Sequence, residues 1–360
     1  MTRRTRLHEL QRGAGALFAE HQGWEVPERF SAFLNEYHAL RNSVGLLDYS
    51  NATVLEVTGR DRIRFLQGML TNDIKSLQPG QGCYAAMLTS QGRIVADMQV
   101  YCGEGSLLLT AEAVLREKLS QALKKYIIAD QVELKDCFES EGILSVQGPR
   151  TSELLSQLVC RNLPLETFNH VISDILGTPV RLCRNRRGCS DGYDLVVPQE
   201  RLAEFWGALL VAGAVLGIRP VGWEAFNANR IEAGIPLYGI DMDENNLLLE
   251  AGLLSAVSFT KGCYMGQEIV ARATYRGQVN WKLSGLLLPD SVPLTGRTVV
   301  QKDGKEVGRV TSSTYSPALN RAIAMGYLRR EVLEPGTLIQ VDRAGDSIIC
   351  EVTALPFVSQ

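Results

Sequence analysis

From about residue 282 onward the chain breaks into short β-prone runs punctuated by glycine: LSGLLL, GRTVV, GKEVGRVTS, AIAMGYL and GTLIQV. This texture leaves few architectures open. Strands so short, with no room for a helix between them, cannot be joined by the crossovers that a parallel sheet requires. They suit a small antiparallel barrel or sandwich. A C-terminal β domain is therefore expected over residues 281–360.

Upstream the texture is mixed. Phe30, Phe33, Leu34, Tyr37 and Leu40 recur at helical spacing, and Val44-Gly45-Leu46-Leu47 reads as the end of that helix, so 27–47 is expected to be helical. A strand is expected over 53–58 and a helix after Asp61. Strands over 83–89 and 93–101 flank the turn-like Ser90-Gln91-Gly92. Further strands are expected at 107–110, 142–146, 179–184 and 193–197, and helices at 112–126, 152–159, 199–212 and from Pro220. Hairpins interleaved with helices favour α+β layers over a doubly wound sheet. Two N-terminal lobes, 1–145 and 146–280, the second ferredoxin-like, complete the expected organisation.

A chain of 360 residues, 45% hydrophobic and 21% charged, has material for two or three compact domains. Its formal net charge of -3 does not suit a protein whose main ligand is nucleic acid. The basic start is followed by no apolar signal core, and no apolar run reaches spanning length, so a soluble, cytoplasmic protein away from membranes is expected. The eight cysteines, at 83, 102, 137, 160, 183, 189, 263 and 350, contain no C-x-x-C pair and read as reduced thiols. All four histidines lie before residue 171, and no metal site is expected.

Four segments carry a resemblance to a known family: GWEVPERFSAFLNEYHALRNSVGLLDYS (23–50), DGYDLVVP (191–198), NRIEAGIPLYGIDMDE (229–244) and GRVTSSTYSPALNRAIAMGYL (308–328). In this order they resemble the glycine-cleavage T-protein superfamily. A fifth, Lys261-Gly262-Cys263-Tyr264-Met265-Gly266-Gln267-Glu268, is similar to the K-G-C-[FY]-x-G-Q-E box of the YgfZ-like branch, whose relatives assist maturation of iron–sulfur enzymes. Ala271-Arg272 and Tyr275-Arg276-Gly277 resemble the continuation of that box.

The resemblance implies two N-terminal α+β lobes around a central channel for tetrahydrofolate, with a small C-terminal β-barrel. A folate asks for a carboxylate or amide for its pterin, an aromatic surface, and a cation for its glutamate tail. In the matched motifs Tyr193, Asp194, Arg230, Glu232 and Tyr238 have that chemistry. Two departures stand out. Ser190 replaces a glutamate of the aminomethyltransferase pattern, leaving Arg186 and Arg187 without that partner, to serve an anionic ligand or, as expected here, to face solvent. Ala96 replaces one acid of a Gly-Gly-x-x-Asp-Asp segment, leaving Asp97, so aminomethyl transfer is expected to be slow or absent. Cys263, with Lys261 two residues away, is the expected reactive group, because a nearby cation favours the thiolate. Cys263, Lys261 and Asp97 are thus the catalytic candidates. The leading expectation is a folate-binding accessory protein acting with iron–sulfur proteins or their assembly factors. The alternatives are a tetrahydrofolate-dependent aminomethyltransferase and a non-catalytic interaction module, so whether the chain is an enzyme stays open at this level.

Overall fold

The computed structural model describes residues 2–275 and 279–358. The fold is α+β with a C-terminal closed six-stranded barrel. It forms two compact units. The first comprises Met1–Leu88, Val95–Phe226 and Ser255–Met265, and the second Thr89–Ile94, Asn227–Leu254 and Gly266–Gln360.

Two sheets dominate the first unit. One has six strands in the order His170–Ile175, Thr178–Arg184, Gly192–Pro198, Glu141–Gln147, Val44–Asp48, Ile218–Pro220. The other has five: Gly82–Leu88, Ile94–Cys102, Leu107–Ala111, Thr53–Thr58, Glu133–Asp136. A small three-stranded sheet gathers Arg3–Arg4, Trp24–Arg29 and Leu17–His21. The six-stranded sheet pairs Glu141–Gln147 with Val44–Asp48 on one side and Gly192–Pro198 on the other. The lobe boundary drawn at residue 145 therefore falls inside a continuous sheet.

The segment 27–47 departs from the helix expected there. Trp24–Arg29 is a strand, Phe33–Asn42 a helix, and Val44–Asp48 a buried strand. A short apolar run does not itself distinguish helix from buried strand. Here sheet pairing decides, and Gly45 permits it: a Cβ at that position would lie 2.5 Å from Leu40 Cδ2 and 2.9 Å from Val221 Cγ2. Pro220 ends the parallel edge strand Ile218–Pro220, a position compatible with its missing N–H, and the helix starts at Trp223. The backbone of Glu28 runs close to Gly222, where a Cβ would lie 2.3 Å from the Glu28 carbonyl oxygen.

Strand alternation sorts the six-stranded sheet into an apolar and a polar face. Leu144, Val146, Tyr193, Leu195 and Val197 join Phe205, Trp206 and Leu209 of the helix Leu202–Ala212 in one core. Ser145, Gln147 and Asp194 occupy the intervening positions and are buried as well. Burying polar side chains is unfavourable unless each finds a partner, which directs attention to that face.

In the second unit the barrel closes in the order Trp281–Leu287, Arg321–Arg329, Lys305–Ser316, Val299–Lys302, Leu338–Arg343, Asp346–Thr353. Leu286, Val300, Val310, Ala324, Leu328, Val341 and Val352 belong to its core. The β-prone texture read from the sequence closes on itself, and closure removes the exposed sheet edges.

Candidate functional site

Asp97 lies on the strand Ile94–Cys102, where Asp97, Gln99 and Tyr101 alternate with Ala96, Met98 and Val100. Its carboxylate is buried. Oδ2 accepts a hydrogen bond from Tyr84 Oη at 2.7 Å, whereas Oδ1 is buried with no hydrogen-bond partner among the described residues. Desolvation raises its pKa to about 6, against the opposing pull of the Tyr84 hydrogen bond. The result is a carboxyl that exchanges a proton near neutral pH and has one oxygen uncommitted. Ala96 is fully buried on the opposite face of the same strand. An acid at position 96 would therefore not adjoin the Asp97 carboxyl on that face.

Facing this strand, the six-stranded sheet carries a closed network. Arg187 is not at solvent, as Arg186 is, but buried. Its Nε donates to Asp194 Oδ1 at 3.1 Å and its NH2 to Asp194 Oδ2 at 2.8 Å, while Asn185 Nδ2 adds a donor to Oδ2 at 2.7 Å. Gln147 Oε1 accepts from the Arg187 backbone N–H at 3.0 Å, and Gln147 Nε2 donates to Ser145 Oγ at 2.9 Å. The guanidinium sits 3.8 Å from the Tyr49 ring centre and 3.7 Å from Glu112, which directly follows the strand Leu107–Ala111. Burial disfavours the charge on Arg187, but Asp194 outweighs it and holds the guanidinium protonated. Ser190 does not leave Arg187 without a carboxylate, because Asp194, seven residues further on, supplies one. Both oxygens of Asp194 are thereby engaged.

Tyr193 points the other way. It belongs to the apolar core, and its hydroxyl donates to the Pro164 carbonyl at 3.0 Å. Tyr193 and Asp194, adjacent in sequence, therefore serve different faces.

The other expected folate residues lie in the second unit. Arg230 is buried, with hydrogen bonds to Asn227 Oδ1 at 2.9 Å, the Ile235 carbonyl at 3.1 Å, Ser312 Oγ at 2.8 Å and the Asp241 carboxylate. Asp241 also accepts from Leu237 N–H at 3.0 Å and from Thr311 Oγ1 at 2.6 Å. Glu232, fully buried, accepts from Ser316 Oγ, and the Tyr238 hydroxyl donates to Glu244 at 3.3 Å. These groups tie the segment 227–244 to the barrel strand Lys305–Ser316.

In the K-G-C-Y box, Lys261 is a buried anchor. Its Nζ donates to the carbonyls of Gln67, Leu70 and Asn72 at 2.7, 2.7 and 2.8 Å, at the C-terminal end of the helix Arg62–Met69. A cation suits that end of a helix. Burial lowers its pKa to about 8, with Asp73 and then Cys83 acting against that. Burial pushes the Cys83 thiol up to about 12, with Lys261 pulling it down. Cys263 and Cys160 are exposed. The helix Gln267–Tyr275 follows the box, with an exposed pair between Arg272 and Glu268 at 2.6 Å. Arg276 and Gly277 lie outside the described residues.

Sequence reasoning missed Tyr84, Glu112, Asn185 and Arg187 as parts of this cluster. Alternation of polar and apolar residues marks the buried polar face through Ser145, Gln147 and Asp194, but Glu112, Asn185 and Arg187 lie outside the strands, where it gives no signal. Among the described residues no group of three or more histidines, cysteines and acids is spaced to hold a metal ion. No helix among them is long and apolar enough to cross a membrane.

Comparison with known proteins adds an independent finding. Residues 7–261 match the family model described as the GCVT N-terminal domain, and residues 282–359 match the glycine cleavage T-protein C-terminal barrel domain. A protein of Halothermothrix orenii named aminomethyltransferase is 32% identical over 359 residues, covering 99% of this chain and 100% of the relative. Relatives of the same name from Geobacillus kaustophilus and Bacillus subtilis are 33% and 31% identical, each covering 99% of both chains. The crystal structure of glycine cleavage system aminomethyltransferase T from Bartonella henselae shares the fold, with a TM-score of 0.92 at 24% identity over 100% of this chain and 99% of that one.

Proposed function

The chain belongs to the glycine cleavage T-protein family, and from that premise we propose that it transfers a one-carbon unit from an aminomethyl donor to tetrahydrofolate, with Asp97 handling the proton. The observation that carries this is the Asp97 carboxyl. It is buried, held at one oxygen by Tyr84, free at the other, and moved to a pKa of about 6 by desolvation. Such a group is matched to proton transfer near neutral pH. The names of the full-length relatives support the enzyme reading over the accessory reading suggested by the K-G-C-Y box. Ala96 does not weigh against it, since that position faces away from Asp97.

A reduced folate supplies the nitrogen nucleophile that accepts the carbon unit. Asp97 fits the acid–base requirement at that centre. Asp194 does not fit the role of a free acceptor for the pterin, because Arg187 and Asn185 occupy both its oxygens. The ring is therefore not assigned to it, and Arg187 is read as the group that holds Asp194. The test is methylene-tetrahydrofolate formation from a reduced-lipoyl aminomethyl donor, alongside calorimetry with tetrahydrofolate. Measurable turnover, lost in Asp97→Asn, supports the reading. Calorimetric silence together with no turnover overturns it.

One observation favours a second reading, the YgfZ-like accessory role toward iron–sulfur enzymes in the cytoplasm: Cys263 is exposed on a segment pinned by Lys261. Rescue of iron–sulfur enzyme activity in cells lacking the protein, abolished by Cys263→Ser, would support that role instead.

A further inference from the structure

Phe168 has a backbone φ of 67°, a left-handed conformation that a bulky side chain rarely adopts. Such a residue persists only where its surroundings over-determine it, and here they do. Its N–H donates to the Arg184 carbonyl at 2.7 Å, and the Asn169 carbonyl accepts from the Arg184 N–H at 2.9 Å. The His170 N–H donates to the Gly80 carbonyl at 2.8 Å, and its Nε2 lies 2.9 Å from the Cys102 carbonyl. The Arg184 guanidinium, itself paired with Asp191, reaches back to the Leu165 carbonyl. Gly82 lets the turn come close: a Cβ there would lie 2.3 Å from the Phe168 carbonyl oxygen. The turn is thus clamped between the strand Thr178–Arg184 of one sheet and the strands Gly82–Leu88 and Ile94–Cys102 of the other.

What the clamped turn presents is a ring. Phe168 lies against Tyr84, two residues past Gly82, with ring centres 6.1 Å apart and planes at 24°, an offset stack. The hydroxyl of Tyr84 is the group that donates to Asp97 Oδ2 at 2.7 Å. With Oδ1 unpartnered among the described residues, the direction of the carboxyl rests on where that phenol is held. Burial, then the Asp97 carboxylate and more weakly Glu112, push the phenol's pKa well up, so it remains a donor. A ring packed on its face restricts the torsions that aim a tyrosine side chain.

We propose that Phe168 is a positioning residue of this site, acting through Tyr84 to fix the direction of the Asp97 carboxyl. The inference rests on the one-carbon reading above for what the carboxyl does, but not for how it is held. Glycine is the residue that this backbone conformation favours, so Phe168→Gly removes the ring while easing the turn. Phe168→Asn, also tolerant of it, is a second ring-free variant, and thermal unfolding of each full chain verifies folding. NMR titration of the labelled Asp97 carboxyl then reads the coupling directly. The Tyr84 bond favours the carboxylate, so Tyr84→Phe and Phe168→Gly should both move the Asp97 titration to higher pH. In the double variant the shift should equal that of Tyr84→Phe alone, because the ring acts only through the phenol. Turnover should fall about tenfold or more in Phe168→Gly, as for a misplaced reacting group, and recover in Phe168→Tyr, which keeps the ring. An Asp97 titration that Phe168→Gly leaves unchanged or moves to lower pH, or shifts that simply add in the double variant, would overturn the proposal. A parent chain without turnover would instead count against the one-carbon reading, and the titration would still decide whether Phe168 holds the carboxyl.

Discussion

Two buried acids, one in each unit, are held in opposite ways. In the second, Arg230 and Asp241 answer each other, and the atoms around them are engaged by Asn227, Ser312, Thr311 and backbone groups. In the first, Asp97 is buried with one hydrogen bond and one empty oxygen. A satisfied buried pair fixes an arrangement, whereas an unsatisfied carboxyl costs stability and keeps its reactivity. The difference separates a strut from a site more sharply than residue type does, since both regions are built from the same acids.

The largest effect expected is on the strut. Asp241→Asn leaves Arg230 as a buried, unpaired cation, and urea unfolding should record a loss of about 3–5 kcal/mol. Adding Arg230→Met should restore most of it. If Asp241→Asn proved neutral, Arg230 would not be a strut and the comparison would collapse.

Asp97→Asn should act in the reverse sense on stability while removing activity. Turnover should fall by about 10²–10⁴-fold. Asp97 is moved from 3.8 to about 6, so its relative contribution to stability is fully present below 3.8 and is lost as pH rises through 6. Asparagine does not ionise. The variant should therefore overtake the parent across that window, by up to roughly 3 kcal/mol at neutral pH, less whatever the Tyr84 bond contributes. Unfolding curves at several pH values check the sign. A variant uniformly less stable at every pH would mean that the carboxylate is a satisfied structural group. The pH–rate profile of the parent should likewise show a group near 6.

How much of this was legible beforehand follows from the range of each interaction. Glycine-punctuated runs foretold the barrel, and Gly92, with φ of 74°, closes the hairpin where Ser90-Gln91-Gly92 was expected. The Val44–Asp48 strand was not legible, because its state is decided by partners about one hundred residues later in the chain. At the site, Asp97 could be named from its motif, yet Tyr84, which fixes its orientation, carried no signal. Arg187 was misjudged because the residues beside it suggested no partner; Asp194 becomes one only when the loop after Asn185 folds back into the strand Gly192–Pro198. Alternation along 94–101 would have put Ala96 and Asp97 on opposite faces, and with that the missing acid loses its weight.

The smallest effects concern the box at 261–268, and they test whether it resembles the strut or the site. Lys261→Met removes the donor from three carbonyls, those of Gln67, Leu70 and Asn72. Because unsatisfied buried acceptors cost about 1–3 kcal/mol, a loss in that range is expected by urea unfolding. Cys263→Ser should change stability by less than about 0.5 kcal/mol, since the side chain is exposed and the two residues are close in size. Limited alkylation read by mass spectrometry should modify Cys263 and Cys160 ahead of Cys102, Cys137 and Cys183, which are buried. In Lys261→Met, with its segment no longer held to the end of the helix Arg62–Met69, Cys263 should still be labelled, and Cys83 should gain reactivity as its cover loosens. If Cys263 instead resisted labelling in the parent, the thiol would be a packing element. The box would then stand with Arg230 and Asp241 as framework, and only the Asp97 region would remain as the site.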